Sequence, residues 1–166
     1  MASWKERNDE RLAEIYPLLA SRVRALTYDM AERGIPILVT QGLRTAEEQG
    51  VLYAQGRTAP GRIVTKAPAG YSSHNFGLAV DVVPDDVQKL DNQPDWNVSH
   101  PAWKTMLDVA LGYKLNEGAL WRTFPDAPHL YLAELQDKPT DAMRLLLSEG
   151  GLPAVWDWVS SIINEV

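Results

Sequence analysis

The stretch SSHNFGLAVD, Ser72–Asp81, places a histidine and a carboxylate seven residues apart, where a loop runs into a short strand. Strand side chains alternate between two faces, so Ala79 and Asp81 share one face while their apolar neighbours point into a core. His74 stands at an odd separation from Asp81, and Gly77 is expected to supply the bend that lets the two meet. A metal ion with imidazole and carboxylate ligands fits this arrangement, and so does a capped turn followed by a solvated acid.

A second segment, WRTFPDAPHLYL at Trp121–Leu132, has the same ingredients. Pro128 fixes its own backbone and favours an extended Ala127, so Asp126 and His129 stand at the two ends of a stiff segment. From His129 onward, polar and apolar residues alternate, which predicts a half-buried strand. Two histidines and two aspartates can supply three metal ligands and one free base, the composition that a hydrolytic zinc site requires. Their spacing leaves open which aspartate does which.

The two motifs resemble those of the zinc peptidases that cut the peptide stems of the bacterial cell wall. That group includes D-alanyl-D-alanine carboxypeptidases and dipeptidases and the L-alanyl-D-glutamate endopeptidases of phage endolysins. The positions that match the family pattern are Ser72, His74, Gly77, Ala79 and Asp81 in the first motif and Asp126, Pro128 and His129 in the second. The resemblance covers most of the chain, from about residue 18 to about residue 135.

The resemblance implies both a ligand set and a fold. His74, Asp81 and His129 would hold one zinc ion, and Asp126 would be the catalytic base. The implied fold is of the α+β class, with a small antiparallel sheet that carries the zinc site and is flanked by helices, as in hedgehog and D-Ala-D-Ala peptidase domains. The family usually has a glycine pair ahead of its second motif, where this chain has YKLNEGAL at 113–120, so the wall of the pocket is expected to differ.

Arg44 follows a predicted strand at 35–41 and precedes Thr45-Ala-Glu-Glu48, a capping box that opens a helix. The residues alone favour a surface salt bridge from Arg44 to Glu47 or Glu48. The family pattern has an arginine at this position, and by that resemblance Arg44 would help to stabilise the oxyanion of the reaction.

Weaker candidates for substrate contact are Gln49, Arg57, Ser72 and Trp121. Trp121 could flank the cleft, although its apolar neighbours favour a place in the core. Arg57 belongs to a loop, 56–70, that also carries Arg62 and Lys66. These cations could form a positive lip that attracts the carboxylates of wall peptides, or they could merely solvate a long loop.

The remaining elements follow from apolar periodicity and from breaker residues. A short helix, a longer helix that begins at Pro17 and ends at Gly34, and a helix from about Ser99 to Gly112 are expected. His100 is interpreted as a first-turn residue of that last helix. The acidic loop Asp85–Asn97 lacks the spacing of a calcium loop, so no second metal is assigned to it. Two C-terminal helices, hinged at Gly150 and Gly151, are expected to pack back on the domain.

Bulk properties exclude several classes of protein. At 166 residues, the chain 1–166 is predicted to be a single catalytic domain, with helices over 140–164 packed on it. A net charge of -6 and the lack of a basic run argue against nucleic-acid binding, and the absence of cysteine excludes disulfides and thiolate ligands. No apolar run approaches about 18 residues, so no stable membrane association is expected.

By the resemblance, the chain would hydrolyse amide bonds in the stem peptides of bacterial peptidoglycan. Its charged opening residues lack the apolar core of a secretion signal, although the wall lies outside the cytoplasm. A phage endolysin needs no secretion signal, because it accumulates inside the cell and reaches the wall through a membrane hole made by a separate protein. We therefore expect an L-alanyl-D-glutamate endopeptidase of this kind. It would be a monomer that is made in the cytoplasm and acts on the wall after release. The alternatives are a D-Ala-D-Ala carboxypeptidase or dipeptidase, and a non-catalytic zinc-binding domain that recognises a partner.

Overall fold

The computed structural model describes residues 3–85 and 94–164. The α-helices of this part of the chain are α1 (Trp4–Leu12), α2 (Pro17–Glu32), α3 (Ala46–Ala54), α4 (Pro101–Gly112) and α5 (Asp141–Asn164), and a 3-10 turn spans Ser73–Phe76. The strands are β1 (Ile37–Gln41), β2 (Ala79–Pro84), β3 (Leu115–Gly118) and β4 (Asp126–Leu132). They form one antiparallel sheet in the order β1-β2-β4-β3, which confirms the predicted α+β class.

The register between the two central strands sets the position of the site. Asp81 of β2 lies directly opposite His129 of β4, and Val80 lies opposite Leu130. Since side chains alternate, the first pair shares one face of the sheet and the second pair points to the other. Val80 and Leu130 are fully buried in the core. The predicted alternation along both strands is confirmed, and the polar face is left free for chemistry.

Helices α1, α2 and α4 pack against the sheet and close its apolar side. As predicted, α2 begins at Pro17, and Thr45 and Glu48 form a reciprocal capping box at the start of α3. His100 is the N-cap of α4, where its Nδ1 accepts a hydrogen bond from the Ala102 backbone N–H at 3.2 Å. The interpretation of His100 as a residue of the helix start therefore holds.

Strand β3 was not predicted. It has four residues, Leu-Asn-Glu-Gly, of which only the first favours strands by its own propensity. It forms because β4 offers it a partner, with Leu115 opposite Leu132 and a bulge between Glu117 and Gly118. Tertiary pairing here overrides local preference.

The C-terminal segment is one long helix interrupted at Gly151, whose φ of 68° and ψ of -164° are not helical. The predicted pair of helices with a hinge is therefore correct. Val155 and Val159 are fully buried, and the indole N–H of Trp156 donates to the Phe76 carbonyl at 2.8 Å. The second half of α5 thus packs behind the turn that carries His74.

None of the helices in residues 3–85 and 94–164 is long and apolar enough to cross a membrane. The acidic loop to which no second metal was assigned falls mostly on residues 86–93, outside the described residues.

Candidate metal centre and active site

The first motif bends as predicted. Gly77 follows the 3-10 turn with a left-handed φ of 65°, and its N–H bonds back to the His74 carbonyl. The His74 imidazole is thereby turned toward β2. Its Nδ1 lies 2.8 Å from the Gly42 carbonyl oxygen and its Nε2 lies 3.2 Å from Asp81 Oδ1. Because a carbonyl can only accept, Nδ1 carries the proton and Nε2 has its lone pair free for a ligand.

Strand β4 brings the second imidazole to the same carboxylate. Nδ1 of His129 lies 3.4 Å from Asp81 Oδ1, and the two imidazole rings meet edge to face with centroids 5.0 Å apart. One potential ligand atom from each of His74, Asp81 and His129 lies within 4.8 Å of the other two. Both histidines are buried, so three donors converge at one point on the polar face of the sheet.

The electrostatics of this cluster favour a cation. Burial alone would raise the pKa of Asp81, but the imidazoles of His74 and His129 outweigh it and hold that pKa far below its usual range. Burial alone would lower the pKa of His129, but contacts with Asp137 and Asp81 raise it to about 10. The carboxylate is therefore ionised and stabilises positive charge beside it. Two imidazole nitrogens and one carboxylate oxygen form a donor set that suits a divalent transition metal.

Asp126 lies at the start of β4 and lines the same cleft, but it is not among the three convergent ligands. Burial and the nearby charge of Asp81 raise its pKa, against the opposing effects of His129, His74 and Arg44. A half-buried carboxylate with a raised pKa next to a metal centre is a suitable proton acceptor.

Gly118 of β3 allows the close approach of the β4 backbone that carries Asp126. A Cβ atom at that position would stand 2.6 Å from the Asp126 carbonyl oxygen and 3.1 Å from the His129 Cβ. The close approach of β3 to β4 therefore requires glycine opposite Asp126. Although the chain lacks the usual glycine pair ahead of its second motif, it keeps one glycine where the two strands touch.

Arg44 points into the cleft, and the surface salt bridge favoured by the sequence alone is wrong. Its Nη1 donates to Gln49 Oε1 at 2.9 Å and its Nη2 lies 3.5 Å from Asp81 Oδ2. Among the described residues, its buried Nε has no hydrogen-bond partner. Arg44 thus supports a proposed ligand, Asp81, and lines the cleft.

Two of the weaker candidates occupy other places. Gln49 is fully buried, where it holds Arg44 through Oε1 and donates from Nε2 to the Ala67 carbonyl at 2.7 Å. It therefore positions Arg44 and the neighbouring loop and does not line the cleft. Arg57 is exposed and stacks 4.0 Å from the centre of the Tyr53 ring, on the outside of the loop. Its position does not support a substrate contact.

Ser72 and Trp121 do line the cleft, which encloses about 480 Å³. The Trp121 ring lies 5.0 Å from the His129 ring, so its expected place in the core is wrong. Of the three loop cations, only Lys66 reaches the cleft. Its Nζ donates to the Thr123 carbonyl at 3.3 Å and thereby joins the two loops that face each other across the opening.

Asp137 also lines the cleft, although neither sequence motif pointed to it. Its Oδ1 lies 3.1 Å from His129 Nε2. It stands in the turn after β4, eight residues from His129, in a segment without any motif. Only the folded path of that turn brings it to the site, so nothing in the sequence pattern could have singled it out.

A buried His-Asp-His cluster beside a free carboxylate, in an open cleft on one face of a small sheet, is the active-site arrangement of a metal-dependent hydrolase. A family model described as VanY, D-alanyl-D-alanine carboxypeptidase, matches residues 13–116. The curated relative CwlK of Bacillus subtilis (strain 168), a peptidoglycan L-alanyl-D-glutamate endopeptidase, is 34% identical over 125 residues, which are 71% of this chain and 73% of CwlK. The chain belongs to the VanY peptidase family.

Solved structures agree with this assignment at the level of the fold. The L-Ala D-Glu endopeptidase ChiX of Serratia marcescens superposes with a TM-score of 0.51 at 20% identity, over 76% of this chain and 86% of ChiX. A mutant of the D,D-pentapeptidase VanY from a VanB-type resistance cassette, in complex with Zn(II), gives a TM-score of 0.50 at 14% identity, over 82% and 80%. The resemblance stated from the two motifs is thus confirmed, and so is the assignment of the chain as a peptide-bond hydrolase.

Proposed function

We propose that this protein is a zinc peptidase that cleaves peptidoglycan stem peptides between L-alanine and D-glutamate. The observation that carries the proposal is the convergence of His74, Asp81 and His129 on one point with Asp126 left free beside it. The choice of bond is supported by the 34% identity to CwlK, whose name states that specificity.

His74, Asp81 and His129 would hold one zinc ion and leave its remaining position open to water. Two neutral imidazoles and one carboxylate form a set found in catalytic zinc sites. When bound, zinc would supply a water of pKa about 7 and a Lewis acid for the scissile carbonyl.

The other residues of the cleft have distinct tasks in this proposal. Asp126 takes a proton from the attacking water and passes it to the leaving amine, a role that its raised pKa favours. Arg44 lines the cleft and directs the positive charge of its guanidinium toward the negative charge that develops on the carbonyl oxygen. Trp121 forms an aromatic wall beside His129 against which a stem peptide can lie.

The proposal is tested by digesting purified wall and sequencing the new chain ends. Cleavage between L-alanine and D-glutamate creates an amino-terminal D-glutamate, and we expect this end to accumulate only with metal present. The family description favours a second candidate, D-Ala-D-Ala carboxypeptidase activity. Release of free D-alanine without any new amino terminus on the wall would show that activity and contradict the endopeptidase proposal.

A turbidity assay on the same purified wall tests the expected role in bacterial lysis. A wall suspension should lose turbidity with the intact protein and keep it when a chelator is present. A protein that binds wall fragments without clearing the suspension would contradict the proposal in favour of a recognition domain. We also propose that the protein acts as a monomer, because His74, Asp81 and His129 already converge within one copy of the chain and need no second copy to complete the cluster.

A further inference from the structure

The imidazole of His129 is contacted by a carboxylate on each side. Nδ1 faces Asp81 Oδ1 at 3.4 Å, within the proposed ligand cluster, and Nε2 faces Asp137 Oδ1 at 3.1 Å. The Asp137 side chain is only 13% exposed, and among the described residues His129 is its one ion-pair partner. Asp137 thus approaches the second proposed ligand from the side opposite to the metal.

The chemistry of the two contacts fixes the state of the ring. Nε2 and Asp137 Oδ1 are both buried without a hydrogen-bond partner among the described residues, and at 3.1 Å a small turn of the ring would join them. An ionised carboxylate only accepts hydrogen bonds, so that bond needs a proton on Nε2. A ring protonated at Nε2 keeps its lone pair on Nδ1, the nitrogen that faces Asp81 and His74. His74 has the opposite arrangement, because its Nδ1 donates to the Gly42 carbonyl and its Nε2 faces the cluster. Each histidine therefore has one nitrogen beside an acceptor oxygen and the other facing the same cluster.

We propose that Asp137 is a positioning residue, which selects the tautomer of His129 and fixes the orientation in which Nδ1 binds the metal. This inference rests on the proposed zinc site. Partners of this kind are common behind metal-binding histidines, and their loss weakens metal binding about 10- to 100-fold. A carboxylate does more than the neutral Gly42 carbonyl, since its charge also makes the imidazole a stronger donor to a cation.

The burial of Asp137 supports a dedicated role. An acid removed from water costs free energy unless it is paired. The side chains that contact Asp137 are those of His129 and Ser73, and Ser73 belongs to the turn that carries His74. Asp137 therefore contacts both segments that supply the imidazole ligands, and it ties the turn after β4 to them.

The test measures the zinc dissociation constant by competition with a chromogenic chelator for the wild type and for Asp137→Ala, Asp137→Asn and Asp108→Ala. Asp108 is a matched control, an aspartate of α4 that is 61% exposed and pairs with Lys104. We expect Asp137→Ala to bind zinc about 10- to 100-fold more weakly. Asp137→Asn keeps an amide oxygen that can accept from Nε2–H, so its loss of zinc affinity should be smaller than that of Asp137→Ala. Asp108→Ala should bind zinc as tightly as the wild type.

A second measurement separates positioning from mere folding. Nitrogen-15 spectra of the zinc-loaded wild type should show His129 protonated at Nε2, with a slowly exchanging proton, and Asp137→Asn should shift and destabilise that signal. If Asp137→Ala does not fold, Asp137→Asn decides the question. Unchanged affinity and an unchanged Nε2–H signal in Asp137→Asn would overturn the inference. A wild type that binds no zinc would instead contradict the proposed function.

Discussion

Asp81 and Asp126 show how one residue type takes two parts in one site. Both are aspartates that face the same cleft, yet their pKa values shift in opposite directions. Asp81 stands between two imidazoles and is held ionised, as a ligand must be. Asp126 has Asp81 as its close negative neighbour and is easier to protonate, as a base that returns its proton must be.

Replacement of Asp126 by Ala should strongly reduce turnover and leave the metal in place. The side chain is outside the three-ligand cluster, so zinc content should stay near that of the wild type. The rate of wall cleavage should fall about 10²- to 10⁴-fold, the usual contribution of a general base. Metal analysis and wall digestion on the same preparation check both parts. Loss of zinc together with activity would mean that the roles of the two aspartates are misassigned.

Zinc affinity should rise with pH through the neutral range. Burial acts in the opposite sense, but Asp137 and Asp81 raise the pKa of His129 to about 10, so a proton must leave the ring before Nδ1 can bind a metal. The apparent dissociation constant should therefore fall by up to about tenfold per pH unit below that pKa. Calorimetry in buffers of different ionisation enthalpy should show proton release on binding. A constant affinity from pH 6 to 9 would contradict a protonated His129 in the metal-free protein.

Two glycines control the site at the level of its elements. Gly77 sets the exit of the turn that carries His74, and Gly118 sets the distance between β3 and β4. They differ in what an added methyl group would meet, which makes each separately testable.

Gly77→Ala should destabilise the protein more than its conformation alone requires. An alanine at a φ of 65° is strained, and its Cβ would also stand 3.1 Å from the Trp156 ring and 3.2 Å from the Ile15 Cα. Gly34 has a φ of 74° with nothing within 4 Å, so Gly34→Ala isolates the conformational cost, about 1–2 kcal/mol. Urea unfolding of both variants should show the larger loss for Gly77→Ala. Equal losses of unfolding free energy in the two variants would indicate that the Trp156 ring moves aside without destabilising the protein.

Gly118→Ala should reduce activity although it replaces none of the catalytic residues. The new Cβ would lie 2.6 Å from the Asp126 carbonyl oxygen, so β3 and β4 must separate and move both Asp126 and His129. A displacement of this kind lowers turnover by about 10²-fold. Gly50→Ala is the control, because Gly50 is a helical glycine of α3 with open space around it. Wall-digestion rates for the two variants check this prediction, and parity between them would contradict it.

At the scale of the whole molecule, the charge is -6 while the cleft carries exposed Lys66 and the half-buried Arg44. Lys66 reaches across the opening to the Thr123 carbonyl, and within the described part of the chain it makes no ion pair with a carboxylate. A peptide with free carboxylates would therefore meet positive charge at the mouth of an acidic protein.

Lys66→Ala should raise KM for stem peptides that bear free carboxylates by about two- to fivefold, the usual worth of an exposed ion pair. The effect should shrink at high salt and on amidated peptides. Arg62→Ala removes an exposed cation of the same loop that does not line the cleft, so it should leave KM unchanged. Equal effects of the two substitutions would indicate a general electrostatic attraction and no specific contact.

The sequence predicted the parts of the site that depend on local pattern. Alternation along 79–83 and 129–133 assigned the faces of Asp81 and His129 correctly, and Gly77 supplied the expected bend. The sequence could not predict contacts between segments that are distant along the chain. The partner of Arg44 is Asp81 because β2 passes beneath it, and Trp121 faces the cleft because its loop folds over His129. Asp137 and β3 depend entirely on neighbours distant in sequence.

The second half of α5 has a consequence for how the protein matures during synthesis. Trp156 holds the Phe76 carbonyl, while Tyr16 donates its backbone N–H to the Gly77 carbonyl and bonds Ser160 through its hydroxyl. The turn that carries His74 therefore contacts both an early segment of the chain, at Tyr16, and a late one, at Trp156. A ribosome will have delivered both histidines well before residues 156–160 emerge. The turn that carries His74 therefore gains its support from Trp156 and Ser160 later in synthesis than the two histidines themselves appear.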